Sequence, residues 1–424
     1  MRAAVVGGGL AGIAAALELA DGGARVTLHE ARPRLGGATF SIERDGLVMD
    51  NGQHVFLRCC TAYLELLERL GVAGKVHLQR RLDIPVLAPG GRRGRIARNA
   101  LPAPLHLAGT LARFRFLSAR ERARVVRAAL ALRNLDLADA ALDDRTFGDW
   151  LREQGQSETA IERFWDLIVL PTVNLRSGEA SLALATKVFQ TGLLERSDAA
   201  DLGWAAVPLG ELHGGAAEHA LAAAGAEVRL RAPVGSLDEL DADCVVLAVP
   251  HVEAAELLPG AQPLAGLGVA PIVNLHVVYD RRVTDLPLAA GVGTPVQFVF
   301  DRSASAGLER GQYLAVSLSA AFAYGRMKVD ELRAEFAPHL EELFPAARDA
   351  RIDSFFVTRE PQATFRQGPG TARLRRQAAP EGVFVAGAWT DTGWPATMEG
   401  AARSGVAAAR AALGVPARKE EAAA

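Results

Sequence analysis

The stretch Ala3-Ala-Val-Val-Gly7-Gly-Gly-Leu-Ala-Gly12, running on into Ile13-Ala-Ala-Ala-Leu-Glu-Leu-Ala20, decides the fold. Residues 3–6 are a short apolar run of strand type, the Ala/Leu-rich residues after Gly12 favour a helix, and Arg25-Val-Thr-Leu-His29 alternates as a second strand does. The turn of this βαβ unit carries Gly7-x-Gly9-x-x-Gly12, the spacing that lets a backbone approach a pyrophosphate at the positive end of a helix. Without its context the motif reads as a Gly-rich turn; between a strand and a helix it reads as a dinucleotide site. Glu30 ends the second strand, where a carboxylate accepts both hydroxyls of an adenosine ribose and repels a ribose phosphate, which argues against NADP. The first twenty residues also resemble a secretory leader, but the spaced glycines, Glu18 and the strand that follows replace a cleavage site.

Outward from this unit, Glu227–Leu230, Cys244–Val249 and Val383–Ala386 read as further pieces of the same sheet, and Met398–Leu413 reads as a helix of small residues. Residues 101–170 hold several helical patterns, whereas 271–300 and 312–318 are strand-rich, with IVNLHVVYD and VQFVFD alternating at period two. The expected class is α/β, with a Rossmann-like cofactor domain assembled from 1–75, 205–260 and 370–415. A mixed-sheet and helical substrate domain is expected at 76–204 and 261–369, and a flexible tail at 416–424. Half of the 424 residues are hydrophobic and 23% are charged, which excludes disorder for the bulk of the chain. A formal charge of −2 gives no overall attraction to nucleic acid. Three cysteines, with Cys59 and Cys60 adjacent, form neither a disulfide framework nor a metal spacing, so a reducing compartment and no metal are expected. The longest uncharged stretch, 257–279, contains three prolines and reads as a loop followed by a buried strand rather than a membrane span.

Directly after Glu30 come Ala31, Arg32 and Arg34-Leu-Gly36-Gly37-Ala38. Here the chain resembles the GR2-type flavoproteins: amine oxidases, phytoene desaturases, protoporphyrinogen oxidases and the Rab dissociation-inhibitor fold. In that group the paired glycines approach the ribityl–pyrophosphate linkage, which implies FAD rather than NAD. Ala38 replaces the group's usual Arg, so one phosphate contact is either missing or supplied elsewhere, by Arg32 or Arg34. Gly225–Val234 resembles the strand pair whose Val, here Val234, holds the adenine edge. Val385-Ala-Gly387-Ala388-Trp-Thr390, followed by Thr397-Met398-Glu-Gly-Ala401, resembles the third signature, whose helix faces the flavin pyrimidine with its positive end. Ala388 replaces the usual Asp, with Asp391 as a substitute. The implied FAD shell is Gly7, Gly9, Leu10, Ala11, Gly12, Glu30, Ala31, Arg32, Arg34, Gly36, Gly37, Ala38, Val234, Gly387, Ala388, Thr397, Met398 and Ala401, with FAD bound non-covalently.

Asp50-Asn-Gly-Gln-His54 resembles a narrower group, the hydroxysqualene dehydroxylases, also described as squalene-associated FAD-dependent desaturases. Pro102–Leu107, Phe164-Trp165 with Leu170 and Asn174, and Val207–Leu212 are similar to that group's substrate-domain landmarks, so the resemblance spans essentially the whole chain. It implies reductive removal of a hydroxyl from hydroxysqualene to give squalene, within hopanoid and squalene biosynthesis. A hydride passes from reduced flavin N5 to an allylic-type cation, and an electron donor not named by the sequence reduces the flavin. Asp50, His54 and Asp391 are the acid candidates; a lone His beside such a strand is otherwise a hydrogen-bonded structural residue. A carotenoid or polyene desaturase, an amine oxidase and a non-catalytic prenyl-lipid carrier remain as alternatives. Thr397 stands where the amine oxidases commonly place a cage aromatic, and the intact glycines argue against a carrier.

Residues 101–133 hold seven Arg and one Glu, a local +6. Leu107, Leu111, Phe114 and Leu117 follow helical spacing beside Arg113 and Arg115, the pattern of a helix on an anionic bilayer or of an ordinary amphipathic helix covering a core. With a C30 substrate, peripheral attachment to the cytoplasmic face of the cell membrane is expected.

Overall fold

The computed structural model describes residues 1–258, 262–376 and 379–415; the expected tail at 416–424 lies outside them. The strand Arg2–Val6 is buried along residues 3–6, as a parallel strand covered on both faces requires. It pairs in parallel with Arg25–Glu30 on one side and Cys244–Leu247 on the other. Glu227–Leu230 and Val383–Val385 complete a five-stranded parallel sheet as its edges. Helix Leu10–Asp21 crosses this sheet and packs along helix Met398–Ala412, so the two ends of the chain close one layer.

A second, seven-stranded sheet is mixed and largely antiparallel. The long strand Ile352–Phe365 is one edge, and Val269–Tyr279 lies next to it, paired on its other side with Gln312–Leu318. Asp83–Ala88 and Arg92–Ala97 form the far edge, joined through Leu288–Gly291 and Phe298–Asp301. A small three-stranded sheet, Val55–Leu57 with Leu202–Ala205 and Val76–Leu78, links the two halves. Of the alternating segments, 272–279 and 298–301 fall on strands, with Val296 and Gln297 immediately before the second.

Helices gather between residues 108 and 194 around an aromatic core of Phe147, Trp150, Phe164, Trp165 and Phe189. Here one expectation fails. Phe114 is fully buried, edge-on to Phe116 and Phe164, and Leu117 is buried with it. Leu107 and Leu111 pack against the same core. The apolar residues at 107–117 therefore face protein, and they do not form one helical stripe: helix Ala108–Arg113 stops before Phe114, and Phe114 and Leu117 enter the core from the turn that follows. The exposed apolar side chains of this region are Leu101, Leu105, Val126 and Leu130 instead. Helix Ala119–Arg133 starts with a capping box, in which Ser118 and Glu121 exchange hydrogen bonds, so the region's single acid has a structural task. Among the described residues no helix is long and apolar enough to cross a membrane.

Candidate active site

The glycine turn is closed by contacts that exclude side chains. A Cβ on Gly12 would overlap the Gly7 carbonyl oxygen, which lets the first helix sit hard against the turn. Gly37 has φ +56, and a Cβ there would lie 2.8 Å from Gly9 Cα, so the two glycine turns, 28 residues apart, touch. Gly36 N donates to Gly8 O at 2.9 Å. The buried Glu30 carboxylate accepts from Gly8 N at 2.6 Å and from Arg32 N at 2.7 Å, which fixes the acid on the rim of this cradle. Ala232 N donates to Glu30 O, bringing the Gly225–Val234 segment alongside, with Val234 packed on the cluster around Val6 and Leu247. Leu10 and Ala11 form the buried first turn of the helix.

Two arginines follow Glu30, and the structure separates their tasks. Arg34 donates to Gly37 O at 3.0 Å and its guanidinium lies 3.8 Å from the Phe40 ring centre, so it braces its own turn, which Ala38 continues. The Arg32 side chain, beyond Ala31, is exposed and remains the candidate for a phosphate. In the third segment Gly387 N donates to Ser404 Oγ, and Thr397 caps helix Met398–Ala412 by accepting from Gly400 N at 3.2 Å. Met398 and Ala401 pack on the core that holds Leu10. Glu399 accepts from Ala62 N and Tyr63 N, capping helix Thr61–Arg69; burial pushes its carboxyl up, while Arg403 and these N–H groups pull it down. Ala388 contributes no polar side chain, and Asp391 is bound to Arg376 at 2.6 Å.

The Asp50–His54 segment sits where strand Leu47–Asp50 meets the large sheet. Asp50, 5% exposed, accepts from Ser41 Oγ at 2.7 Å, from Leu209 N at 2.8 Å and from Arg302 Nη2 at 2.9 Å. Arg302 also donates to Ala205 O. Asn51 O accepts from Asn274 Nδ2 and Thr358 Oγ1, which lie on two strands of the seven-stranded sheet. Asp50 and Asn51 are therefore clamps, and the ring of His54 is left standing half-buried on a cavity wall. Burial pulls the His54 imidazole below its ordinary value, and the Asp50 charge raises it in part.

Two of the three acid candidates thus change character. Asp50 lies beside His54 but holds three donors, one a guanidinium, so it orients this segment rather than supplying a proton. Asp391 lines a different cavity, of about 580 Å³, together with Arg375, Thr390 and Ser404, and is not brought to His54. The sequence reading missed Arg302, Asn274 and Thr358, which carry no local motif and reach the segment across 252, 223 and 307 positions. Asn174, in the left-handed region, holds Ala270 O, Thr364 Oγ1 and Ala320 N, and so fastens the helical region to the seven-stranded sheet.

These features describe a dinucleotide cradle facing a buried polar segment, and comparison with known proteins gives the class. Residues 10–413 match the family described as flavin containing amine oxidoreductase, and the chain belongs to that family. It is 30% identical to a hydroxysqualene dehydroxylase of Rhodopseudomonas palustris over 96% of both chains. It is 27% identical to a probable zeta-carotene desaturase of Synechococcus elongatus over 97% of this chain and 98% of that one. Two solved structures share the fold: a putrescine oxidase with putrescine bound (TM-score 0.72, 19% identity, 98% and 99% coverage) and the cyclohexylamine oxidase of Brevibacterium oxydans (0.72, 21%, 97% and 98%). The protein is an FAD-dependent oxidoreductase of α/β class. Its residues fit the cofactor: the turns at Gly12 and Gly37 leave no room for a Cβ, and Glu30 is fixed beside them.

Proposed function

We propose that the protein removes the hydroxyl of hydroxysqualene to give squalene. The observation that carries this reading is His54, the one acid candidate of the three whose side chain stands on a cavity wall without an arginine partner, next to apolar residues. Val55, Leu57, Ile84, Trp204 and Phe298 are half-exposed around the buried Leu202, Leu288 and Phe300, a surface suited to a hydrocarbon chain. The dehydroxylase relative supports the same substrate class.

Bound FAD supplies the hydride equivalent when reduced. The chain's own part is to hold the cofactor through the two glycine turns and Glu30, with Arg32 proposed at a phosphate. The Asp50–Arg302 and Asn274–Asn51 clamps fix the segment that carries His54, and the imidazolium donates its proton to the leaving hydroxyl. Burial makes the His54 imidazolium a stronger acid and at the same time a scarcer one at neutral pH, so donation is favoured on the acid side. The apolar wall excludes water from the carbon that loses the C–O bond.

A second reading, carotenoid or polyene desaturation, draws on the zeta-carotene desaturase relative and runs the electrons the other way. Thr397 commits its hydroxyl to a helix cap, which does not favour an amine-orienting role. The exposed Leu101, Leu105, Val126 and Leu130 lie among exposed Arg113, Arg120, Arg127 and Arg133, and we assign contact with the anionic inner face of a membrane to this surface. Anaerobic incubation with hydroxysqualene, FAD and a chemical reductant, followed by mass analysis of hydrocarbons, tests the main reading. Squalene formed in proportion to enzyme is expected, and unchanged hydroxysqualene overturns it.

A further inference from the structure

The cavity beside His54 is small and partly open, about 10 Å³, which is room for one oxygen atom. Asp50 and Arg302 border it but are paired with each other. Gln53, the residue before His54, also borders it, and its Nε2 is buried without a hydrogen-bond partner. A buried amide N–H left without a partner is costly, so one on a residue that borders a cavity of this size is completed by a water or by a ligand atom. Val55, Trp204, Ala205, Leu209 and Phe300 complete the lining.

Resting on the dehydroxylation reading, we propose that this cavity seats the hydroxyl oxygen of an isoprenoid alcohol, with Gln53 Nε2 donating to it and the His54 ring alongside. Gln53 is then the residue that distinguishes the alcohol substrate from its hydrocarbon product. The balance is simple. The C–O bond breaks, the oxygen takes the proton from His54 and leaves as water, and the carbon receives the hydride equivalent from reduced FAD. After reaction the carbon chain offers nothing to Gln53, so affinity falls and the product departs. A site that hydrogen-bonds a hydroxyl discriminates strongly against the analogue that lacks it, because its own polar group is left unpaired.

The test is a binding titration of oxidised holoenzyme, followed by the change in flavin absorbance, with hydroxysqualene and with squalene. Wild type is expected to bind the alcohol at least about tenfold more tightly than the hydrocarbon. Gln53→Met, matched in length and unable to hydrogen-bond, is expected to bring the two affinities within about twofold, with full FAD content and unchanged squalene affinity showing an intact fold. A preference that survives in Gln53→Met overturns the proposal and leaves the cavity to solvent water. Equal affinities in wild type overturn it as well, whether or not the variant folds. A wild type that prefers the alcohol, loses that preference in Gln53→Met and yet fails to form squalene defeats the dehydroxylation reading while upholding the hydroxyl site.

Discussion

The cofactor cradle and the wall around His54 are held together in opposite ways. The cradle is made by backbone: glycine turns in contact, N–H groups on Glu30, and one helix pressed against a strand. The wall is made by side chains from distant segments, with Asp50, Arg302, Asn51, Asn274 and Thr358 each holding another in place. A backbone site fails when volume is added, because nothing there can rotate away. A side-chain clamp fails when one partner is removed, because the other is left buried and unsatisfied.

The largest effect should come from breaking the wall's ion pair. Arg302→Leu leaves Asp50 ionised in the interior and is expected to lower stability by about 3–5 kcal/mol. Removing both charges together, as Asp50→Leu with Arg302→Leu, should recover much of that loss. Thermal denaturation of the holoenzyme measures both, and a double variant no more stable than Arg302→Leu would show that the pair is not the clamp described. Next in size is Gly12→Val, which forces the first helix off its strand at a cost of about 2–3 kcal/mol, equivalent to roughly a hundredfold loss of FAD affinity. Yellow protein with full FAD content would refute the close-packed turn. Glu30→Ala should weaken FAD by about tenfold, with cofactor titration as the check and unchanged affinity counting against Glu30 as the ribose ligand.

The remaining expected effect concerns acid. Burial holds His213 and His276 neutral, each pulled down to about 3; Tyr63 bonds the first, and Tyr313 and Thr358 bond the second. The unfolded chain takes up these protons near 6.5 and the folded chain does not until about 3, so their contribution is complete above 6.5 and declines as pH falls below it. The melting temperature should drop between pH 7 and 5, and His276→Gln should flatten that drop. An unaltered profile in the variant would place the acid sensitivity elsewhere.

The same contrast explains what the sequence revealed. Gly7, Gly9, Gly12 and Glu30 act within one short segment, so their spacing is the structure, and they were legible. The partner of Asp50 lies 252 positions away with no motif around it, and no reading of Asp50–His54 alone distinguishes a clamp from an acid. The apolar residues at 107–117 were legible as a set that seeks an apolar surface, but neither the end of their helix at Arg113 nor the direction they face was, since apolar periodicity is the same toward protein or lipid; the buried Phe114 decided it. Asp391 carried no sign that Arg376 would take it.

The central claim is that His54 delivers a proton to a leaving hydroxyl while the flavin is oxidised. Anaerobic rapid mixing of the reduced enzyme with hydroxysqualene, followed by flavin absorbance, tests it most directly. The account predicts substrate-dependent reoxidation that slows as pH rises, through a midpoint below the ordinary histidine value, and that falls by roughly 10²–10⁴-fold in His54→Ala with FAD still bound. No reoxidation by hydroxysqualene in wild type would contradict the account, and so would a His54→Ala variant reoxidised at the wild-type rate.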